Sequence, residues 1–151
     1  MYIYQSVVDG FMFDIVNGLI KGHFGRSDLR IYEAGGGSAT IMDADLTRGS
    51  EITVVDISPE QIAKMTYAAH GVVGDIQTWE KPDGFDLAIC FNVLEHVDDH
   101  QAAVRAICRS HAPGGMLVVG GPDPRSLQGW ITRLTPHAVH VAFYRLMGQK
   151  T

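Results

Sequence analysis

The sequence has only two cysteines among its 151 residues, Cys90 and Cys108, and neither has a partner at metal-ligand spacing. Two free thiols are typical of a protein kept in a reducing compartment. No apolar run approaches the roughly 20 residues that a membrane-spanning helix needs, so we expect no integral membrane segment. The first residues include Gln5 and Asp9 and no basic leader. We therefore expect no secretory signal and a cytoplasmic location.

Positive charge is also scarce, because the sequence has 12 Lys and Arg residues and 17 Asp and Glu residues, which gives a net charge of −5. Binding to a phosphate backbone needs clustered Lys and Arg, so the balance disfavours nucleic acid as a partner and favours a small-molecule substrate. A hydrophobic share of 46% is enough for a folded core, and the length suits one compact domain.

The N-terminal segment has an apolar doublet that repeats every four residues, which predicts a helix packed on a core. The doublets comprise Val7, Val8, Phe11, Met12, Ile15, Val16, Leu19 and Ile20. Asp14, Asn17 and Lys21 are expected on the other side, and Gly22 and Gly25 end the helix. A lid over a ligand or a lipid-contacting helix remains an alternative.

From Leu29 onward, short apolar runs alternate with helical stretches, which predicts a parallel sheet built from right-handed βαβ units. The predicted strands are Leu29–Glu33, Ile52–Val55, Val72–Val73, Phe85–Phe91 and Met116–Val119. One helix is predicted from an N-cap at Ser58, with Gln61 completing a capping box, to about Gly71. A second helix is predicted over 98–111, followed by a turn at 113–115. The fold class is therefore α/β, Rossmann-like and doubly wound.

Polar residues and glycines stand at the carboxyl ends of four predicted strands, where an open parallel sheet binds its ligands. They are Glu33, Gly35 and Gly37 after the first strand, Asp56 after the second, Asp75 after the third, and Asn92, Glu95 and His96 after the fourth. Gly35–Thr40 also resembles a dinucleotide fingerprint, with Asp56 about 20 residues further on. An NAD-dependent oxidoreductase therefore remains open at this point.

Taken together, these motifs resemble the class I S-adenosylmethionine-dependent methyltransferase family from Leu29 to Gly121. The matching segments are Glu33–Gly37, Val54–Glu60, Gly74–Ile76, Phe85–Val97 and Ala112–Leu117. Each segment alone is a weak signal, but five in order at suitable spacing are a strong one. The resemblance disfavours the oxidoreductase, because Asn92–Val97 and the turn at 113–115 do not fit it.

The resemblance implies S-adenosyl-L-methionine as cofactor and a role for each matching residue. Glu33, Gly35 and Gly37 would surround the methionine part, and Asn92 would line that end of the pocket. Asp56 would hold the ribose hydroxyls, and Ile57 would pack on the adenine face. Asp75 would accept from the adenine amino group, with Ile76 supplying its backbone amide.

Methyl transfer from a sulfonium mainly requires alignment of the acceptor, with a base only where the acceptor must lose a proton. His96 is the candidate base, because it follows the fourth strand and imidazole titrates near neutral pH. His96 and His100 are four residues apart, but no third ligand has a clear spacing, so no metal site is predicted.

The full family fold has seven strands, and this sequence predicts five, so the last two are expected to be missing. We assign 1–121 to the cofactor-binding domain and 122–151 to a helical extension or the start of an acceptor-side insertion. Truncation of a longer chain, or pairing of two copies along the exposed fifth strand, would account for the bare edge. A noncatalytic cofactor-binding or scaffold protein is the main alternative function.

Overall fold

The structure is a computed structural model that describes residues 2–121, with side-chain surroundings from residue 10 onward. Its elements are α1 (Tyr2–Phe24), β1 (Arg30–Ala34), α2 (Ala44–Gly49), β2 (Glu51–Asp56), α3 (Pro59–Lys64), β3 (His70–Val73), β4 (Phe85–Phe91), α4 (His100–Arg109) and β5 (His111–Gly120). A 3₁₀ turn at Leu94–His96 precedes α4. The predicted extension over 122–151 lies outside the described residues, as does the question of further strands there. No helix in the described part of the chain is long and apolar enough to cross a membrane.

The five strands form one parallel sheet in the order β3-β2-β1-β4-β5. Ile31 of β1 lies between Ile52 of β2 and Leu87 of β4. The chain leaves β1 toward β2 and β3 and then crosses back to β4 and β5. This reversal places a crevice between the carboxyl ends of β1 and β4, where such sheets bind ligands. The predicted Rossmann-like α/β fold is confirmed.

Alternating strand residues build a core on each face of the sheet, as expected when helices cover both faces. Ile31, Val54 and Ile89 pack with residues of α1 and α2 in one cluster. Tyr32, Ala88 and Cys90 pack with residues of α4 in the other. The short helix α2 escaped the sequence analysis, although Asp43 caps it by accepting from the backbone N–H groups of Asp45 and Leu46.

Helix α1 contacts the core differently from the prediction. Asn17 is only 5% exposed, although it was assigned to the outer face. Its amide donates to the carbonyls of Phe13 (2.7 Å) and Ile41 (2.9 Å), and its carbonyl accepts from the N–H of Asp43 (3.0 Å). The buried amide is therefore fully paired, and it ties α1 to the segment before α2.

Two boundaries differ from the prediction because tertiary contacts override local pattern. Helix α3 ends at Lys64 rather than near Gly71, because the chain has to reach β3, which pairs with β2 from His70 onward. Strand β5 begins at His111, and the predicted turn is an irregularity within it. Phe85 pairs with His111 but Leu87 pairs with Met116, so residues 112–115 bulge, with Gly114 at φ +80°.

Candidate functional site at the carboxyl edge of the sheet

The loop after β1 depends on its glycines. Gly35 and Gly37 have φ of +70° and +58°, which only glycine adopts readily, and the N–H of Gly35 donates to Val55 O at 2.7 Å. A Cβ on Gly35 would collide with the side chain of Val93. A Cβ on Gly37 would stand 3.5 Å from Asp56 Oδ2. The loop thus passes close to β2 and to the segment after β4, with no room for a side chain at Gly35, whereas Gly37 is required by its positive φ.

Glu33 lies beneath this loop, at the carboxyl end of β1, and is 3% exposed. Its Oε2 is buried and has no hydrogen-bond partner within residues 2–121. Burial raises the pKa of Glu33 from 4.5 to about 7, although the nearby hydroxyls of Thr40 and Tyr67 oppose this shift. The Tyr67 hydroxyl donates to Ala39 O at 3.2 Å. An unpartnered buried carboxylate oxygen of this kind fits a ligand that carries a hydrogen-bond donor or a positive charge.

Asp56 ends β2, and its two carboxylate oxygens have different surroundings. Oδ1 accepts from the N–H of Ser58 at 2.8 Å, and Oδ2 faces the glycine loop. The predicted capping box forms only in part. Ser58 accepts from the N–H of Gln61, but the Gln61 side chain accepts instead from Ser38 Oγ at 2.8 Å. The start of α3 is therefore tied to the glycine loop through Gln61.

Asp75 follows β3 in a tight turn, in which its carbonyl accepts from the N–H groups of Thr78 and Trp79. Its carboxylate accepts from the backbone N–H of Gln77 at 2.8 Å and from Gln77 Nε2 at 3.1 Å. The next residue, Ile76, is buried in the core and anchors the turn.

The segment after β4 bends at Asn92, which has φ +55° and donates its N–H to Gly120 O at 2.8 Å. Asparagine is among the few residues that tolerate this conformation. Residues Leu94–His96 then form the 3₁₀ turn, which leaves the His96 side chain exposed to solvent. No hydrogen-bond partner holds His96 among the described residues, so its ring is free to meet a ligand.

These segments surround a cavity of about 360 Å³, a volume typical of small-molecule sites. Its lining residues are Gly35, Asp56, Ile57, Gly74, Asp75, Ile76, Gln77, Asn92, Val93, His96, Val97 and Asp98. Six of the eight predicted cofactor residues and the predicted base line it. Glu33 and Gly37 do not line the cavity, because Glu33 lies beneath the glycine loop and Gly37 lies against Asp56. Ile57 is 75% exposed, as expected of a side chain that can cover a flat ligand.

Three features of this site were not predicted from the sequence. Gly36 covers Glu33, Gln77 holds Asp75, and Val93 fills the space over Gly35. Gly36 and Val93 lie inside the quoted motifs, so the motifs contained a signal for them. No sequence pattern marks Gln77, because its role depends on contacts made after the turn forms.

Comparison with known proteins identifies the family. Residues 32–119 match the model of the methyltransferase domain family, which is more than half of the chain. The chain belongs to this family. It is 30% identical over 132 residues to the ubiquinone biosynthesis O-methyltransferase of Xylella fastidiosa, with 76% of this chain and 53% of that protein covered. It is 27% identical over 127 residues to the corresponding protein of Idiomarina loihiensis, with 76% and 51% covered. The chain spans about half the length of these curated relatives.

Solved structures support the fold. A TehB-like S-adenosylmethionine-dependent methyltransferase from Corynebacterium glutamicum superposes with a TM-score of 0.59 at 24% identity, covering 77% of this chain and 67% of that one. The 1,6-didemethyltoxoflavin-N1-methyltransferase of Burkholderia thailandensis, solved with S-adenosylhomocysteine, superposes with a TM-score of 0.56 at 20% identity. The match covers 71% of this chain and 50% of that one. The [4+2]-cyclase SpnF superposes with a TM-score of 0.58 at 22% identity, covering 70% of this chain and 43% of that one. The resemblance to a cyclase shows that this fold also occurs in proteins named for other reactions.

Proposed function

We propose that this chain is the cofactor-binding domain of an S-adenosylmethionine-dependent methyltransferase that acts on a small-molecule acceptor. The observation that carries the proposal is the cavity at the carboxyl edge of the sheet, which brings together six predicted cofactor residues. Membership of the methyltransferase domain family supports it. The same proposal assigns residues 1–121 to this domain and leaves 122–151 as an extension or acceptor-side segment.

The residues present fit the cofactor. The unpartnered Oε2 of buried Glu33 would accept from the ammonium of the methionine part, and the glycine loop allows the backbone to approach it. Asp56 Oδ2 and Asp75 are acceptors at separate places along the cavity, suited to ribose hydroxyls and to the adenine amino group. Ile57 would pack on the adenine face, Ile76 would supply its backbone amide, and Asn92 would line the methionine end. When bound, the cofactor would supply an activated methyl group on its sulfonium.

The names of the curated relatives support a hydroxyl oxygen as the acceptor atom. Alcohols hold their proton at neutral pH, so a base beside the acceptor would accelerate transfer. We propose His96 for this role, because it lines the cavity and its ring has no hydrogen-bond partner among the described residues. The other residues of the site would align the acceptor with the methyl group and exclude water.

Calorimetric titration of the 151-residue chain with S-adenosylmethionine tests the pocket. We expect micromolar binding that Asp56→Ala weakens at least tenfold, since a buried hydrogen bond to a charged group contributes about 1.5–3 kcal/mol. Asp28→Ala is the matched control, because Asp28 is an exposed carboxylate before the opposite end of β1. Binding of NAD in place of S-adenosylmethionine would contradict the proposal.

A noncatalytic cofactor-binding protein is the second candidate, favoured by the five strands of the described residues where the full family fold has seven. The two functions differ in the fate of the cofactor. A methyltransferase releases S-adenosylhomocysteine when supplied with a set of small hydroxylated acceptors, and His96→Gln then slows release without weakening cofactor binding. A chain that binds the cofactor but releases no product with any of them supports the noncatalytic candidate.

Two further expectations remain proposals. Cys90 is a buried free thiol and Cys108 an exposed one, which suits a reducing compartment such as the cytoplasm.

In the described part of the chain, β5 pairs only with β4, and Val119 on it is 50% exposed. Pairing of two copies along β5 is therefore still a prediction, which sedimentation of the chain would test.

A further inference from the structure

The carboxylate of Asp75 is held almost entirely by one neighbour, Gln77. The backbone N–H of Gln77 donates to Oδ1 at 2.8 Å, and Gln77 Nε2 lies 3.1 Å from both Oδ1 and Oδ2. Both residues line the cavity. Because the backbone and the side chain of Gln77 grip the same group, the carboxylate cannot rotate without losing hydrogen bonds.

Gln77 is itself held by the N-cap residue of α4. Its Oε1 accepts from the N–H of Asp99 at 2.8 Å, and Asp99 caps α4 by accepting from Ala102 N at 2.8 Å. The glutamine amide can therefore adopt only one orientation, with its oxygen toward α4 and its NH₂ toward Asp75. A rotated amide would place its oxygen against a carboxylate and its NH₂ against an N–H group.

The hydrogen-bond count leaves little of Asp75 for a ligand. An ionised carboxylate has about four lone-pair positions, and Gln77 occupies two on Oδ1 and one on Oδ2. One acceptor position remains, on Oδ2. A ligand donor such as an amino group fills it, whereas a ligand carbonyl oxygen there would repel the carboxylate.

We propose that Gln77 is a positioning residue for cofactor recognition, which orients Asp75 so that the site selects adenine over a purine with oxygen in place of the amino group. The inference rests on the proposed function, in which Asp75 receives the adenine. Gln77 does not touch the reacting atoms. It acts by fixing the direction of the one acceptor that Asp75 offers.

Calorimetry with S-adenosylhomocysteine and S-inosylhomocysteine tests this on the 151-residue chain at pH 7.5. The chain should bind the adenosyl ligand at least about tenfold more tightly, and Gln77→Ala should remove most of this preference. Gln101→Ala is the matched control, because Gln101 is an exposed glutamine on α4 whose side chain accepts from Arg105, and it should keep the preference. Equal weakening of both ligands by Gln77→Ala would overturn the inference. Absence of adenosyl binding to the unaltered chain would contradict the proposed function instead.

Gln77→Glu keeps the inference testable if Gln77→Ala does not fold. The introduced carboxylate retains the acceptor for Asp99 N–H, but at pH 8 it faces Asp75 with a second negative charge. At about pH 5 the same group, once protonated, can donate to Asp75 as the amide does. We expect the adenosyl preference to be lost at pH 8 and regained at pH 5, relative to the unaltered chain at each pH. Both ligands share the homocysteine part, so titration of Glu33 cancels in the ratio. Failure to regain the preference would count against Gln77.

Discussion

Gly36 lies so close over Glu33 that a Cβ on the glycine would stand 2.6 Å from Glu33 Cγ and 2.8 Å from its Cδ. The glycine therefore packs directly against the Glu33 side chain and leaves no room for a methyl group. The cost of this arrangement is visible in the raised pKa of Glu33, about 7. A buried carboxylate with one unpaired oxygen destabilises the free protein, and a cationic ligand would relieve this cost.

We predict that Glu33→Gln stabilises the cofactor-free chain at high pH and weakens cofactor binding. The folded state raises the pKa of Glu33 from 4.5 to about 7, so it favours the protonated form. The stability that this provides is complete below pH 4.5 and is lost as the pH rises through 7. At pH 8 the variant should gain on the order of 2 kcal/mol over the unaltered chain.

Urea unfolding at pH 5, 6, 7 and 8 measures this difference, with Glu95→Gln, an exposed acid, as control. Parallel stability profiles for the unaltered and Glu33→Gln chains would contradict the prediction. Cofactor binding gives a second readout, because an ammonium beside Glu33 favours the carboxylate. Binding at pH 6 should therefore release a proton, detectable as a calorimetric heat that depends on the buffer, and Glu33→Gln should abolish the release.

Gly36→Ala should abolish cofactor binding and destabilise the chain, because the added methyl group would overlap Glu33 and approach the Tyr67 hydroxyl to 3.0 Å. We expect a loss of about 1–3 kcal/mol, as for overpacking elsewhere. Gly18→Ala is the opposite case, since no described residue has an atom within 4 Å of a Cβ at that position on α1. It should gain up to about 1 kcal/mol from helix propensity. Thermal unfolding of both variants checks the contrast.

The sequence predicted the strands and the acids at their ends because both follow from short-range pattern. Phe85–Phe91 is nearly continuous in apolar character, interrupted only by Asp86, and Asp56 follows a β-branched run directly. What it could not predict depends on partners distant in sequence. The burial of Asn17 follows from Ile41 and Asp43, and the orientation of Gln77 follows from Asp99. Polar residues such as these carry no periodicity of their own, so a pattern assigns them to the surface.

Tyr32→Phe should leave the chain as stable or make it more stable. Tyr32 is fully buried against Trp79 and Phe85, and its hydroxyl has no hydrogen-bond partner. Removing an unpaired buried hydroxyl saves its desolvation penalty, about 1–3 kcal/mol, while the ring contacts remain. Urea unfolding measures the change, and Tyr67→Phe is the control, because its hydroxyl donates to Ala39 O and its loss should destabilise. A clear loss of stability in Tyr32→Phe would show that a water molecule satisfies the hydroxyl.

Asn17→Ala should weaken both the fold and the site, because two of the three hydrogen bonds of Asn17 join α1 to the segment that leaves the glycine loop. The substitution leaves the Ile41 carbonyl and the Asp43 N–H without their partner in a part-buried setting, at a cost of about 2–3 kcal/mol. Asp14→Ala, an exposed residue of the same helix, should change stability by less than about 0.5 kcal/mol. Cofactor affinity, measured where each variant is fully folded, separates the two effects. If Asn17 holds the loop as well as the helix, affinity falls in Asn17→Ala but not in Asp14→Ala; an unchanged affinity would confine its role to packing of α1.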